Sequence, residues 1–321
     1  MKNWIDGARP RTLPAVIAPI AVGTALAKTN INLTNLMLAL IVGLSLQIGV
    51  NYANDYSDGV KGTDADRVGP KRLVASGTKN ASAVKNAAFF CFAIAATAGL
   101  YLSLRTNPYL IVVGFFAIVS AWGYTGGKNP YGYRGLGEVY VFIFFGLVAT
   151  IGTYYGQTGQ VGIEVIMAAI SNGAVACALL AANNIRDIDG DTKVGKRTLA
   201  VRLGDTRARR FYMFLIFIAI FTAFTVTVIS VVAIVPAIGL LKAIQYKKGR
   251  ELIEVLGATG KFQLILGALI GGVAFYLWNE NRKNKNSTEV VVDAIKEIEC
   301  IAVNGKYLND VLADGLKELR K

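Results

Sequence analysis

The stretch NYANDYSDGVKGTD, Asn51–Asp64, decides the fold. It follows directly on an apolar run that begins near residue 34, and it holds Asp55, Asp58 and Asp64, with Asp66 just beyond. Asn54 and Asp58 are spaced i,i+4, and Asn51, Asp55 and Asp58 are spaced i,i+4,i+7. On a helix those residues share a face. Carboxylates gathered at the end of an apolar helix point to a membrane protein whose ionisable groups do chemistry, because charge near bilayer depth is costly.

Composition agrees. Of the 321 residues, 54% are hydrophobic and 17% charged, against about 25% charged in a soluble domain. Apolar runs recur from Leu13 to Trp278, each close to the ~20 residues of a spanning helix. The chain reads as an all-α membrane protein with nine candidate spans, at roughly 13–28, 34–54, 83–104, 108–125, 138–156, 163–183, 210–228, 229–244 and 261–278. Residues 211–241 carry no charge. As one helix they would reach about 46 Å, well past the ~30 Å hydrocarbon core, so they divide into two spans with a turn or kink near Ser230 or Pro236. Pro14 and Pro19 in the first span are tolerable where neighbouring helices cover the freed carbonyls.

No signal peptide is expected; Arg9 and Arg11 precede an uncleaved first span. With the N-terminus in the cytoplasm, Lys and Arg crowd the cytoplasmic segments, and only Lys28 and Arg105 fall on the other face before the tail. The net charge of +13 is then mostly a topology signal, and no nucleic-acid partner is indicated. Residues 1–280 read as one transmembrane domain. Residues 281–321 read as a polar linker with short amphipathic helices, an accessory hairpin without chemistry.

Cys91, Cys177 and Cys300 are isolated, and histidine is absent. The commonest general base and metal ligand is therefore missing, and any metal must be held by oxygen, as Mg²⁺, Ca²⁺ and Mn²⁺ are. A second acidic set lies in NNIRDIDGDTKVGKRTLAVRLG, residues 183–204, where Asn184, Asp187 and Asp191 are i,i+3,i+7. The two sets close the second and sixth spans and so emerge at one membrane face. Basic residues accompany both: Lys61, Arg67, Lys71 and Arg72 after the first, Arg186, Lys193, Lys196 and Arg197 within and after the second. Acids alone suggest a cation site. Acids with basics suggest a polyanion bridged by a divalent metal, which takes one or two carboxylates and completes its shell with phosphate and water, while Lys and Arg hold the remaining charge. Solvated loops with weak surface pairs would explain one such cluster better than two matched ones.

Asn54-Asp55-x-x-Asp58 and Asp187-x-x-x-Asp191 resemble the two aspartate-rich motifs of the UbiA superfamily of intramembrane aromatic prenyltransferases. ARPRTLPAVIAPIAVGTALA (residues 8–27), NYANDYSDGVKGTDADRVGPKRLVASG (51–77), GYTGGKNPYGYRGLGEVYVFIFFGLVATIGTYY (123–155) and the second acidic stretch are similar to its 1,4-dihydroxy-2-naphthoate-prenylating branch. The likeness covers about residues 8–278. The wider family often carries a third Asp four residues after the second; here that position is Gly62, with Asp64 two further on.

The resemblance implies a nine-helix bundle around a central cavity that opens to the cytoplasm and sideways to lipid. It implies Mg²⁺, an allylic polyprenyl diphosphate donor, an aromatic acid acceptor, and polyprenyl transfer with loss of CO₂ to give demethylmenaquinol. Catalytic roles carry over to Asp58, Asp187 and Asp191, and metal-ligand roles to Asn54, Asp58, Asp187 and Asp191, with Asn51, Asp55 and Asn184 in support. Diphosphate-holding roles carry over to Lys61, Arg67, Arg72, Lys128, Lys193 and Lys196. Tyr124, Tyr131, Tyr133, Tyr154 and Tyr155 are candidates to flank an allylic cation or to pack at the interface. Arg9 and Arg11 read as topology anchors rather than contacts for the acidic acceptor. Gly126–Gly127 and Gly135–Gly137 read as a mobile loop over the site, and Gly267-x-x-x-Gly271 as close helix packing. The rival readings are another aromatic acceptor within the superfamily, a transporter built on inverted repeats, and a scaffold without activity.

Overall fold

A computed structural model of the chain describes residues 2–28, 31–63 and 72–282. Arg67 and the tail beyond residue 282 lie outside the described residues. Regular structure among the described residues is helical throughout. A short α1 (Lys2–Ala8) ends at Arg9, whose φ of 55° is left-handed, and a 3₁₀ turn (Pro10–Thr12) leads into α2 (Pro14–Leu26). Pro14 opens α2 at the position where a missing N–H costs nothing. α3 (Leu33–Val60) is capped by the Asn32 side chain, which accepts from the Asn35 N–H. At 28 residues it is about 42 Å long, so its acidic last turns extend beyond the hydrocarbon core.

α4 (Ala81–Arg105) and α5 (Leu110–Gly123) follow. α6 (Gly137–Thr158) winds as a π-helix over Phe142–Val148. α7 (Ile163–Arg186) lies at the centre and ends at the second motif, followed by short α8 (Ile188–Lys193) and α9 (Leu199–Leu203). The chain closes with α10 (Asp205–Val226), α11 (Val228–Tyr246) and α12 (Leu252–Arg282).

Each of the nine candidate spans has a helical counterpart, but only α3, α4, α6, α7, α10, α11 and α12 are long and apolar enough to cross a membrane. α2 and α5 have 13 and 14 residues, about 20 Å each. Among the described residues the nine candidate spans are thus seven full-length helices and two short ones. The uncharged stretch 211–241 does divide in two, at a turn that contains Ser230, whereas Pro236 lies beyond it. Thr227 is extended (φ −151°, ψ 127°), a 3₁₀ turn runs over Val228–Ala233, and Pro236 sits in the first turn of the following helix.

Small residues let the helices close on one another. A Cβ on Gly146 would lie 2.5 Å from the Cα of Gly173, so α6 meets α7 backbone to backbone at the π-wound segment. Gly267 and Gly271 seat α12 on Ala18 and Ala25 of α2, where an added Cβ would meet theirs at 3.3 and 3.0 Å. That is the close packing expected of the Gly-x-x-x-Gly spacing. At the end remote from the acidic motifs, Asn35 donates to the Gly156 carbonyl (2.8 Å) and accepts from Arg105 Nε (3.3 Å), tying α3, α4 and α6 together. α2 to α7, with residues of α8, α10 and α12, line a cavity of about 1190 Å³.

Candidate active site

The last turns of α3 bring Asn51, Asn54 and Asp58 to the cavity wall. Asp58 is buried. Its Oδ1 accepts from the Tyr133 hydroxyl at 2.5 Å, its Oδ2 lies 3.0 Å from Lys196 Nζ, and a guanidinium nitrogen of Arg72 is 3.9 Å away. Lys196 belongs to the second motif, so the two motifs meet at this carboxylate. Asn54 Oδ1 accepts from Thr125 Oγ1 (2.8 Å), and Asn51 donates to the Ala8 carbonyl (2.9 Å), which holds the N-terminal segment against the site. Asp55 faces elsewhere. Its two oxygens take the backbone N–H groups of Leu73 and Val74 at 2.8 and 2.9 Å, so it supports the site by anchoring the segment after the first motif.

Asn183 and Asn184 in the last turn of α7, Asp187 at its end and Asp191 on α8 line the same cavity. The axis breaks at Asp187 (φ −98°, ψ 5°), yet the Asp191 N–H still donates to the Asp187 carbonyl at 2.8 Å and keeps the two acids one turn apart. Arg186 donates to both Asp187 oxygens (2.7 and 2.6 Å) and to Asn183 Oδ1 (2.8 Å).

The predicted diphosphate-holding residues divide into two groups. Arg72, Lys193 and Lys196 line the cavity. Lys61 and Lys128 are not among the lining residues. Lys61 Nζ instead donates to the Thr125 and Gly127 carbonyls at 2.8 and 3.3 Å, and Lys128 is exposed. Burial lowers the Lys61 pKa, with Lys196 adding to the effect and Asp58 opposing it. The ammonium groups of Lys61 and Lys196 lie 4.9 and 4.7 Å from the centre of the Tyr133 ring.

The segment that holds Gly126–Gly127 and Gly135–Gly137, expected to be a mobile loop, makes hydrogen bonds to both motifs. Besides the Thr125, Lys61 and Tyr133 contacts, the Tyr133 carbonyl accepts from the Arg197 N–H at 2.9 Å. Gly135 turns at φ 73°, and a Cβ there would meet Arg202 Cδ at 2.9 Å, so glycine is required.

The tyrosines divide as well. Tyr124, Tyr131 and Tyr133 line the cavity, together with Tyr140 and Phe144 of α6, which the sequence reading passed over although their i,i+4 spacing marks one face. Tyr131 and Tyr140 stack with centroids 3.9 Å apart, and Tyr124 meets Tyr131 edge-on at 5.5 Å. Burial raises the pKa of both Tyr124 and Tyr131, with Glu138 next in effect at Tyr124, so both stay phenols at neutral pH. Tyr154 packs in the core beside α7, and the Tyr155 hydroxyl accepts from Asn107 Nδ2 (2.6 Å) at the remote end. Of the two expected topology anchors, Arg9 also lines the cavity, whereas Arg11 is exposed. Left-handed backbone of the kind Arg9 adopts gathers at functional sites.

Asn54, Asp58, Asp187 and Asp191 offer only oxygen donors, and among the described residues no three His, Cys, Asp or Glu side chains form a ready cage. Such a set fits a hard divalent cation that keeps water and phosphate oxygens in its shell. Beyond this charged end the wall is apolar, along residues such as Ala39, Val42, Gly99, Leu102, Gly114 and Phe145.

A helical membrane bundle with paired Asn/Asp motifs, a basic collar and a long apolar pocket defines an intramembrane enzyme for substrates with a charged head and a hydrocarbon chain. The chain belongs to the UbiA prenyltransferase family, whose sequence pattern matches residues 16–252. It is 47% identical over 283 residues to the 1,4-dihydroxy-2-naphthoate octaprenyltransferase of Mycobacterium tuberculosis, spanning 85% of this chain and 97% of that one. The Escherichia coli protein of the same name is 40% identical over 221 residues, 66% of this chain and 72% of its own. The fold matches that of a UbiA homolog from Archaeoglobus fulgidus bound to GPP and Mg²⁺, with a TM-score of 0.63 at 15% identity, over 85% of this chain and 99% of that one. A UbiA homolog from Aeropyrum pernix aligns at a TM-score of 0.62 and 18% identity, over 81% and 96%.

Proposed function

We propose that the chain transfers a polyprenyl group from an allylic polyprenyl diphosphate to 1,4-dihydroxy-2-naphthoate with loss of CO₂, giving demethylmenaquinol. The observation that carries this reading is the Lys196–Asp58 contact. It joins two acidic motifs and their basic residues at one end of a cavity whose remaining wall is apolar. The names of relatives at 40–47% identity support the acceptor.

Arg72, Lys193 and Lys196 hold the diphosphate, while Lys61 orders the loop above it. Asn54, Asp58, Asp187 and Asp191 would hold Mg²⁺, which when bound supplies charge neutralisation on the departing diphosphate. The C1–O bond breaks with both electrons leaving on pyrophosphate, and the faces of Tyr124, Tyr131 and Tyr140 meet the allylic cation. A ring carbon of the acceptor forms the new C–C bond. The acceptor carboxylate leaves as CO₂ and returns its bonding pair to the ring, so no net proton is consumed. Arg9 brings a guanidinium to the same cavity, suited to an acidic acceptor. No protein nucleophile is needed, in keeping with a chain without histidine. The bias of basic residues supports a cytoplasmic orientation for this end of the bundle, and we take the enzyme to be a multi-pass protein of the cell membrane.

The test is to incubate membranes with prenyl diphosphates, Mg²⁺ and a panel of aromatic acids, with wild type beside Asp187→Ala. Product from dihydroxynaphthoate in wild type alone, abolished by a chelator and restored by Mg²⁺, is expected. Product only from another acceptor would overturn the assignment.

A further inference from the structure

Glu138 has no role in the account above. It is the second residue of α6 and the one charged residue in that helix, and it is 5% exposed. A carboxyl group in a membrane-spanning helix is expensive, and only half of this one is bonded. Oε1 accepts from Asn184 Nδ2 at 3.0 Å, while Oε2 is buried and accepts no hydrogen bond among the described residues. The Glu138 carbonyl is pinned to α7 by the Cys177 thiol at 3.1 Å. Glu138 is not itself among the lining residues, but Asn184 is, three residues before Asp187.

A carboxamide has two chemically different ends, and Glu138 Oε1 takes the NH₂ end. With its NH₂ end held by Glu138 through one N–H, Asn184 keeps its carbonyl oxygen, the opposite end of the amide, as the group that can meet a cation. Turned over, the amide would set its oxygen against Glu138 Oε1, lose the bond that Oε1 accepts, and aim N–H donors at the place where a cation belongs. We propose that Glu138 is a positioning residue that locks the Asn184 amide with its oxygen towards the divalent cation of the prenyl diphosphate complex. The inference rests on the function proposed above. Partners of this kind typically change metal affinity or activity by about 10- to 100-fold.

The experiment titrates Mn²⁺ by electron paramagnetic resonance against the purified full chain with an unreactive prenyl thiolodiphosphate, beside transfer assays. Glu138→Leu should raise the Mn²⁺ concentration for half-saturation about tenfold, with the KM for the aromatic acceptor unchanged. Adding Asn184→Asp should recover most of that loss, because a carboxylate has two equivalent oxygens and needs no orienting; a purely structural bond would not be rescued this way. Should Glu138→Leu not be recovered folded, the isosteric Glu138→Gln carries the test. Gln pairs with the amide either way round, which halves the competent fraction, so half-saturation should rise about twofold and return with Asn184→Asp. Wild-type Mn²⁺ affinity in both Glu138 variants, or no rescue by Asn184→Asp, would overturn the proposal. Wild type that binds Mn²⁺ with the analogue yet gives no product from dihydroxynaphthoate would overturn the acceptor assignment and leave the positioning role standing.

Discussion

Lys196→Met tests the contact on which the site is built. Lys196 Nζ is 3.0 Å from Asp58 Oδ2, and the two side chains are 9% and 5% exposed. At an effective dielectric of about 20, charges at that distance attract by roughly 5.5 kcal/mol, and Arg72 at 3.9 Å contributes about 4.3 kcal/mol. Breaking a buried pair costs about 3–5 kcal/mol, because the remaining charge is left uncompensated. Asp58 would keep Arg72 and the Tyr133 hydroxyl, so the cost falls at the low end, about 3 kcal/mol. At roughly 2–4 °C per kcal/mol, the apparent Tm in detergent should fall by about 6–12 °C. In an Asp58→Asn background the same substitution removes a buried cation that has lost its partner, so it should be neutral or stabilising. The KM for the prenyl diphosphate should also rise about 30-fold in the single variant, the equivalent of ~2 kcal/mol for one charge-assisted bond. Tryptophan fluorescence on heating reads the first effect and steady-state kinetics the second. If Lys196→Met melts with wild type, or if the two substitutions destabilise additively, Lys196 and Asp58 are not a coupled pair and the joining of the motifs fails.

Three other substitutions separate roles that the motifs alone leave merged. Asp55→Ala removes the acceptor for the Leu73 and Val74 N–H groups and should cost about 2–4 kcal/mol of stability; its Mn²⁺ half-saturation should stay near wild type, and a loss as large as that of Asp58→Ala would place Asp55 on the metal. Tyr133→Phe keeps the ring beneath Lys61 and Lys196 but loses the 2.5 Å bond to Asp58. Its kcat should drop about tenfold, near 1.4 kcal/mol, with the acceptor KM unchanged. Gly114 lines the apolar part of the cavity, and a Cβ there meets nothing within 4 Å; Gly114→Phe should therefore shift product from long to short prenyl chains when donors compete, as mass spectrometry of the extracted quinols would show.

The spans were legible because a bilayer demands about 20 apolar residues and little else supplies them. Their ends were not, because hydropathy continues past the point where a helix stops. Thr227 lies in TVTVIS, residues 225–230, where β-branched side chains weaken helical preference, and that signal adds to Ser230, which lies in the turn, and outweighs Pro236, which lies beyond it. The i,i+4 spacing of Asn54 and Asp58 placed both on the cavity, since it needs only a regular helix. Most of the basic residues lie on loops or helix ends, and spacing along a loop does not say where a side chain arrives. Lys61 and Lys196 read alike in sequence, yet one holds carbonyls of the neighbouring loop and the other reaches Asp58.

Helix phase explains the remaining difference between acids that look equivalent. Asp55 and Asp58 are three residues apart, about 60° around a helix of 3.6 residues per turn. That offset is enough to turn one carboxylate to the cavity and the other to the backbone of Leu73 and Val74. Composition counts both as membrane-edge acids; only the neighbours that each meets distinguish a cation ligand from a loop anchor. Glu138 is the converse case. A lone acid at the start of an apolar run carries no motif and reads as an interfacial residue, but burial against Asn184 on the next helix ties it to the second motif. Tyr140 was missed for a related reason, since it sits in a run of aromatic and aliphatic residues that all suit lipid, and only its stacking on Tyr131 turns it inward. In this bundle a residue's role follows from the helix it faces, and motif spacing reports that only for residues that share one helix.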